Sequence, residues 1–347
     1  MRLSPQPPDG ASPHTTTMAK QDRLVDIDVA KGIAIFLVVV GHVVARDYRP
    51  AGNEWFFDFR TALYHFHMSF FFYLTGYVFA TARADQYGQR VRRAAARMLP
   101  AYLLVAALAL VAKLALTGIV AVDRPIRSIG GDLIGLLLYP TSGFITFVWF
   151  IVALLGIYLL TLAAAWLSPG RAVPVVVVAF ALHVASVAGW ITELFALQQV
   201  ARYWFIFVVG QLAFEHRHRL LPIWRASWPG WMLLLVLSLI WLPRPLLSTV
   251  PALLCVPALH GLALFIAERL PRIRAQVARL GDASWPIYLF NAFAIGGVKA
   301  VILATFGWDG LMFLLALPLI VAGGLLLPVL AQRVVLSRVA WLDRITR

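Results

Sequence analysis

Apolar runs of about 20 residues recur along the whole chain, most of them bounded by arginines, and a helix needs about that length to cross a bilayer's hydrocarbon core. Only two backbone arrangements survive in that environment, and runs this long select the helix over the barrel strand. The fold expected is therefore an all-α, polytopic membrane helical bundle. Composition agrees: 61% of the 347 residues are hydrophobic and 13% are charged, whereas about a quarter are charged in a soluble domain.

Ten spans are expected, near 27–45, 61–82, 98–119, 144–166, 172–190, 196–214, 230–242, 247–267, 283–304 and 310–331. The seventh is short, and Pro243 and Pro245 follow it. The stretch 130–140 is apolar but too short to span, so it is placed at the interface. Residues 1–22 are rich in Pro, Ser and Thr and lack the apolar core of a cleavable leader; they are expected to form a disordered cytoplasmic tail. The membrane domain then covers 23–335, with 336–347 as a second tail. A single cysteine, Cys255, leaves no disulfide framework, and no metal site is expected.

The formal charge of +14 invites a nucleic-acid reading, but its distribution argues for membrane topology instead. Loops 83–97, 167–171, 215–229 and 268–282 hold thirteen Lys and Arg, against six in 46–60, 120–143, 191–195, 243–246 and 305–309. The positive-inside rule then makes the first set and both termini cytoplasmic. A multi-pass protein of the cell's inner (cytoplasmic) membrane is expected, with the bilayer as a partner and nucleic acid excluded.

The first span carries the polar groups that most need explaining. Asp28, Lys31 and His42 lie along one stripe, because eleven helical residues return to nearly the same face about 16 Å further along the axis. Ionisable groups are costly in a bilayer, so this stripe is the first place to seek function. The alternative is that Asp28 and Lys31 anchor the span at the membrane surface while His42 caps its far end. With Lys31 near the cytoplasm, His42 lies towards the outer side. His65 and His67 on the second span, Trp149 on the fourth and Arg202 on the sixth fall at a similar level, converging as an embedded reaction chamber requires.

The order of these residues resembles the acyltransferase-3 family of bacterial integral-membrane acyltransferases, in particular its fucose 4-O-acetylase-like branch. Residues 23–42 look like its first-helix signature, a basic residue, ten intervening positions and a histidine, met by Lys31 and His42. Residues 66–77 are similar to its second-helix motif, with Ser69 in place of the usual proline and Thr75 in place of the usual serine. Arg92, Arg93 and Arg97 before Pro100 and Tyr102, Val148-Trp149-Phe150, and Arg202 leading to Gly210 match later motifs in order. Ser284-Trp-Pro-Ile-Tyr288-Leu-Phe-Asn291 is similar to a late motif that usually ends in histidine, so Tyr288 and Asn291 are taken as supporting residues.

The resemblance implies transfer of an acyl group, acetyl foremost, from cytoplasmic acyl-CoA to a hydroxyl of a cell-surface glycan, a glycolipid or a precursor. Acyl-CoA would be a co-substrate, with no permanently bound cofactor. The roughly 16 Å rise from Lys31 to His42 is comparable with the reach of a pantetheine arm. Lys31 would hold the donor's phosphates, with Arg92, Arg93 and Arg97 adding contacts; the alternative for these arginines is topology signals snorkelling to the interface. His42 is the candidate general base, because imidazole is substantially neutral near pH 7. His67 would orient the acceptor or stabilise the oxyanion, or else pack against a neighbouring carbonyl. Trp149 would contact the acceptor, and Arg202 would do the same or else snorkel outward. His65 is read as structural, and Asp28 as the i,i+3 partner of Lys31. Two other classes compete: a transporter or flippase, disfavoured by the lack of a clear internal repeat, and a glycan polymerase, disfavoured by outer loops no longer than 120–143.

Overall fold

A computed structural model describes residues 14–44, 49–118 and 124–346. In chain order its helices are α1 (His14–His42), α2 (Glu54–Tyr64), α3 (His67–Phe79), α4 (Tyr87–Leu116), α5 (Ile129–Leu138), α6 (Trp149–Leu167), α7 (Ala172–Val187), α8 (Leu197–Glu215), α9 (Arg217–Trp241), α10 (Val250–Arg269), α11 (Pro271–Asp282), α12 (Ser284–Thr305), α13 (Leu311–Val334) and α14 (Ala340–Thr346). No strand occurs among the described residues, so the all-α membrane bundle holds. Among the described residues six helices are long and apolar enough to cross a membrane: α4 with the turn before it, α6, α9, α10, α12, and α13 with the turn after it. The other four expected spans correspond to α1, the α2–α3 pair, α7 and α8.

Three elements differ from expectation. The second span is not one helix: α2 ends at Tyr64, Phe66 leaves helical geometry (φ −139°, ψ −27°), and α3 begins at His67. The break is held by the His67 imidazole, whose Nδ1–H donates to the Leu63 carbonyl at 2.7 Å; a side chain inserted into the i−4 ladder is one established cause of a kink. The seventh span is not short. α9 runs 25 residues, starting ahead of the expected 230–242 and passing through Pro222 and Pro229, which are tolerated inside membrane helices. The loop expected at 268–282 is largely α11, started by Pro271 and too polar to span. Residues 1–13 of the expected tail lie outside the described residues, while α1 already begins at His14.

The apolar stretch near 130–140 becomes α5 because its start is capped. Ser128 Oγ accepts from the Gly131 N–H, and Asp132 Oδ2 accepts from the Arg127 and Ser128 N–H groups at 2.8 and 3.0 Å. Those two bonds hold the Asp132 carboxyl below the usual carboxylate range.

α1 is the central helix, packed on α2, α3, α10, α11, α12 and α13, and its Val29, Ala30, Ala34, Ile35 and Val39 are fully buried. Glycines bring helix backbones together at several contacts, two of which involve the helices around the site. Gly281 meets the Asp28 carbonyl and Gly32 meets that of Val277, joining α11 to α1; Gly76 meets the Phe207 carbonyl and Gly210 that of Tyr73, joining α3 to α8. A Cβ at any of the four would overlap a main-chain oxygen. Lacking a hydrophobic force between helices in lipid, such close approach is what packs them.

The loops sort onto two ends of the bundle. Residues 51–53 bond to 309–310, through Ala51 N–H to Asp309 Oδ1 at 3.2 Å and Asn53 Nδ2–H to the Gly310 carbonyl at 2.8 Å. Thr141 donates to Glu193. At the other end Arg225 pairs with Glu268 at 3.0 Å. Each partnership joins loops that the charge count placed on one side.

Candidate active site

His42 is the last residue of α1, and its Nδ1 lies 2.9 Å from Oδ1 of Asn291 on α12. Asn291 is fully buried, and its amide nitrogen already donates to the Ile287 and Tyr288 carbonyls at 2.8 and 2.9 Å. With both amide hydrogens committed, the oxygen must face the imidazole, so Nδ1 carries the proton and Nε2 presents its lone pair. The sequence marked position 291 as a departure from the usual histidine; in the fold it fixes the tautomer of His42.

The helix break supplies the other wall. Arg60 of α2 is buried at 9% exposure, donates through Nε to the Gly41 carbonyl at 3.2 Å, and lies 4.2 Å from the centre of the Tyr64 ring. The Tyr64 hydroxyl donates to the same carbonyl at 3.4 Å, and its ring approaches to within 3.2 Å of where a Gly41 Cβ would stand. Gly41 thus makes room for Tyr64. His67, buried at 3%, sits with its ring 4.7 Å from that of Tyr64. Because Nδ1–H is spent on Leu63, His67 also offers only a lone pair at Nε2 while neutral. It can therefore orient a hydroxyl; donation to an oxyanion is left to other groups.

Phe72 stacks on Tyr203 at 4.5 Å and Tyr203 on Trp149 at 5.7 Å. Tyr288 continues the aromatic wall against Phe150 at 5.3 Å and spends its hydroxyl on the Phe147 carbonyl at 2.8 Å. That bond ties α12 to the turn before α6. Arg202 precedes Tyr203; its Nε is buried without a hydrogen-bond partner, and its carbonyl accepts from His183 Nδ1–H at 2.7 Å.

The expected donor residues are dispersed. Lys31 Nζ bonds Asp28 Oδ1 at 3.1 Å, the i,i+3 pair anticipated. Asp282 at the end of α11 shares this corner: burial first and the Asp28 charge second push its carboxyl up from the usual range. Arg92 and Arg93 are exposed on α4, whereas Arg97 lies over the Trp285 ring at 4.9 Å.

Sequence reasoning missed Arg60, which it counted as a loop residue, and a second buried polar group. There Tyr73 of α3 and His260 Nδ1 of α10 lie 2.6 Å apart, and His260 Nε2 lies 3.7 Å from Asp26 Oδ2. Among the described residues no three His, Cys, Asp or Glu side chains form a metal-ligand set.

Compared with known proteins, residues 24–333 match the profile of a family described as an acyltransferase domain. No curated protein and no solved structure matches the chain.

Proposed function

This chain belongs to the acyltransferase-3 family, and from that premise we propose that it is an O-acyltransferase, acetyl foremost, moving the acyl group of cytoplasmic acyl-CoA to a hydroxyl of a cell-surface glycan or glycan precursor. It is a membrane acyltransferase; the donor, acceptor, base and inner-membrane location are the parts proposed. The observation that carries the reading is the His42–Asn291 pair, which leaves Nε2 of a neutral imidazole free to accept a proton.

In the proposed reaction His42 Nε2 takes the hydroxyl proton as the acceptor oxygen attacks the thioester carbonyl. A C–O bond forms and the carbonyl electrons move onto oxygen. Collapse of that tetrahedral species breaks the C–S bond, and the imidazolium returns its proton to the thiolate. Atoms and charge balance without a covalent enzyme intermediate, since a thioester is already activated. Asn291 is a positioning residue, holding the tautomer much as the aspartate of a hydrolase triad does. His67 Nε2 is available to orient the attacking hydroxyl, and Arg60 is the cation beside the centre that suits a developing oxyanion. Trp149, Tyr203 and Arg202 would meet the acceptor. Lys31 would face the donor, with its charge shared by Asp28.

Thiol release from acetyl-CoA by the purified protein tests this, with acceptor-containing membranes added. His42→Ala should abolish release while leaving insertion and expression intact, because the apolar pattern is untouched. Turnover at the wild-type rate in that variant, at matched protein levels, would rule His42 out as base. The absence of release by the wild type would remove the acyl-CoA reading altogether.

A further inference from the structure

At the end of the bundle that holds Lys31, a cavity of about 470 Å³ opens between the end of α11, the first turn of α12, the end of α13 and α14. Its polar lining is Arg279, Asp282, Gln332, Arg333, Ser337 and Asp343, and Pro286 is part of its apolar wall. None of the six polar residues belongs to the motifs that carry the family resemblance. Its volume falls within the roughly 300–1,000 Å³ typical of small-molecule sites.

We propose that this cavity binds the 3′-phosphorylated ADP end of the coenzyme A donor, with Arg279 and Arg333 as its phosphate ligands. The inference rests on the reading of the chain as acyl-CoA-dependent and locates the donor's nucleotide, which that reading leaves open.

Three observations support it. First, the two guanidinium groups make no ion pair among the described residues, although two carboxylates line the same cavity. Asp343 is engaged by Gln332 Nε2 at 2.9 Å, and the neighbour of Asp282, Gly281, packs on the Asp28 carbonyl. The arginines therefore remain available to an anion, and their planar forks fit phosphate oxygens.

Second, the lining is mixed. Gln332, Ser337 and the carboxylate oxygens supply both donors and acceptors, which suits an adenine amino group and ribose hydroxyls beside the phosphates. A site for inorganic phosphate alone would have no use for the acceptors.

Third, the cavity lies on the route to the candidate base. Asp282 lines it and follows Gly281, which packs on the Asp28 carbonyl beside the Asp28–Lys31 pair, from which α1 rises about 16 Å to His42. Along α12, Pro286 lies five residues before Asn291, about 8 Å of rise. A nucleotide seated here leaves a distance to His42 on the scale of the pantetheine arm. Arg97 then has a wall role: it covers Trp285, whose Nε1–H donates to the Ile345 carbonyl at 2.8 Å and ties α14 against α12.

The test compares thiol release from acetyl-CoA and from S-acetylpantetheine, which lacks the nucleotide, by wild type, Arg279→Ala, Arg333→Ala and the double variant in neutral detergent. Each single change should raise the acetyl-CoA KM about tenfold with kcat within about twofold, as loss of one charge-assisted contact predicts. The KM for S-acetylpantetheine should not move, and that arm also reports that the variants are folded. Adenosine 3′,5′-bisphosphate should compete with acetyl-CoA on wild type and lose its effect on the double variant. An unchanged acetyl-CoA KM, or an equal rise for both donors, would overturn the site while leaving the acyl-CoA reading in place. An effect confined to vesicles containing phosphatidylglycerol would assign the cavity to a lipid headgroup and overturn it too. A wild type that releases thiol from neither donor would instead bring down the reading on which the proposal stands.

Discussion

At the residue scale the candidate site turns on a hydrogen bond whose direction is determined by a third party. Asn291 could face His42 with either end of its amide, but the Ile287 and Tyr288 carbonyls take the nitrogen. Replacing Asn291 with leucine should lower kcat on acetyl-CoA about a hundredfold with little change in KM, because the imidazole loses its orienting acceptor while the donor site is untouched. Asn291→Asp retains an acceptor oxygen and should keep more of the rate than leucine. Equal kcat in wild type and the leucine variant would reduce the pair to helix packing. His42 and Lys31 were legible in the sequence because each interrupts an apolar run. Asn291 was visible only as an exception to a motif, and its partner lies 249 positions away. Arg60 was not legible at all: nothing in hydropathy indicates that an arginine ahead of an apolar run will fold back onto the Gly41 carbonyl.

At the scale of elements, helix existence was readable and helix continuity was not. The run 61–82 has no proline or glycine near residue 65, so the break between α2 and α3 depends on a side-chain contact, His67 to Leu63, that periodicity does not encode. The opposite happened at α9, expected as a short span over 230–242 but continuous from Arg217 to Trp241. Close packing was equally hidden, since a glycine in an apolar helix reads the same whether it faces lipid or another backbone. Gly76 can be tested directly. Gly76→Ala places a methyl group on the Phe207 carbonyl and should destabilise the α3–α8 contact by about 1–3 kcal/mol, the usual cost of overpacking. Gly88→Ala, where nothing lies within 4 Å of the added carbon, is the control and should be neutral or slightly stabilising. Thermal melting in detergent reads both, and equal melting temperatures for the two variants would show that the α3–α8 contact yields without cost.

For the whole molecule, sidedness is the property on which the proposed path from cavity through stripe to His42 depends. The loop charge count was legible because insertion acts on local sequence, without waiting for the tertiary fold. The bonded loop pairs, 51–53 with 309–310 and Arg225 with Glu268, agree with its sorting but carry no label for inside or outside. That assignment can be made with two cysteines after the buried Cys255 is replaced by serine. Ala51 and Gln89 are both exposed and belong to opposite sets of loops. In intact cells a membrane-impermeant thiol reagent should label cysteine introduced by Ala51→Cys, while Gln89→Cys should react only once the membrane is opened. The reverse pattern would place Lys31 and the cavity beside Arg279 and Arg333 outside the cell. Cytoplasmic acyl-CoA could not then reach them, and the path from the cavity past Lys31 to His42 would have no donor to carry.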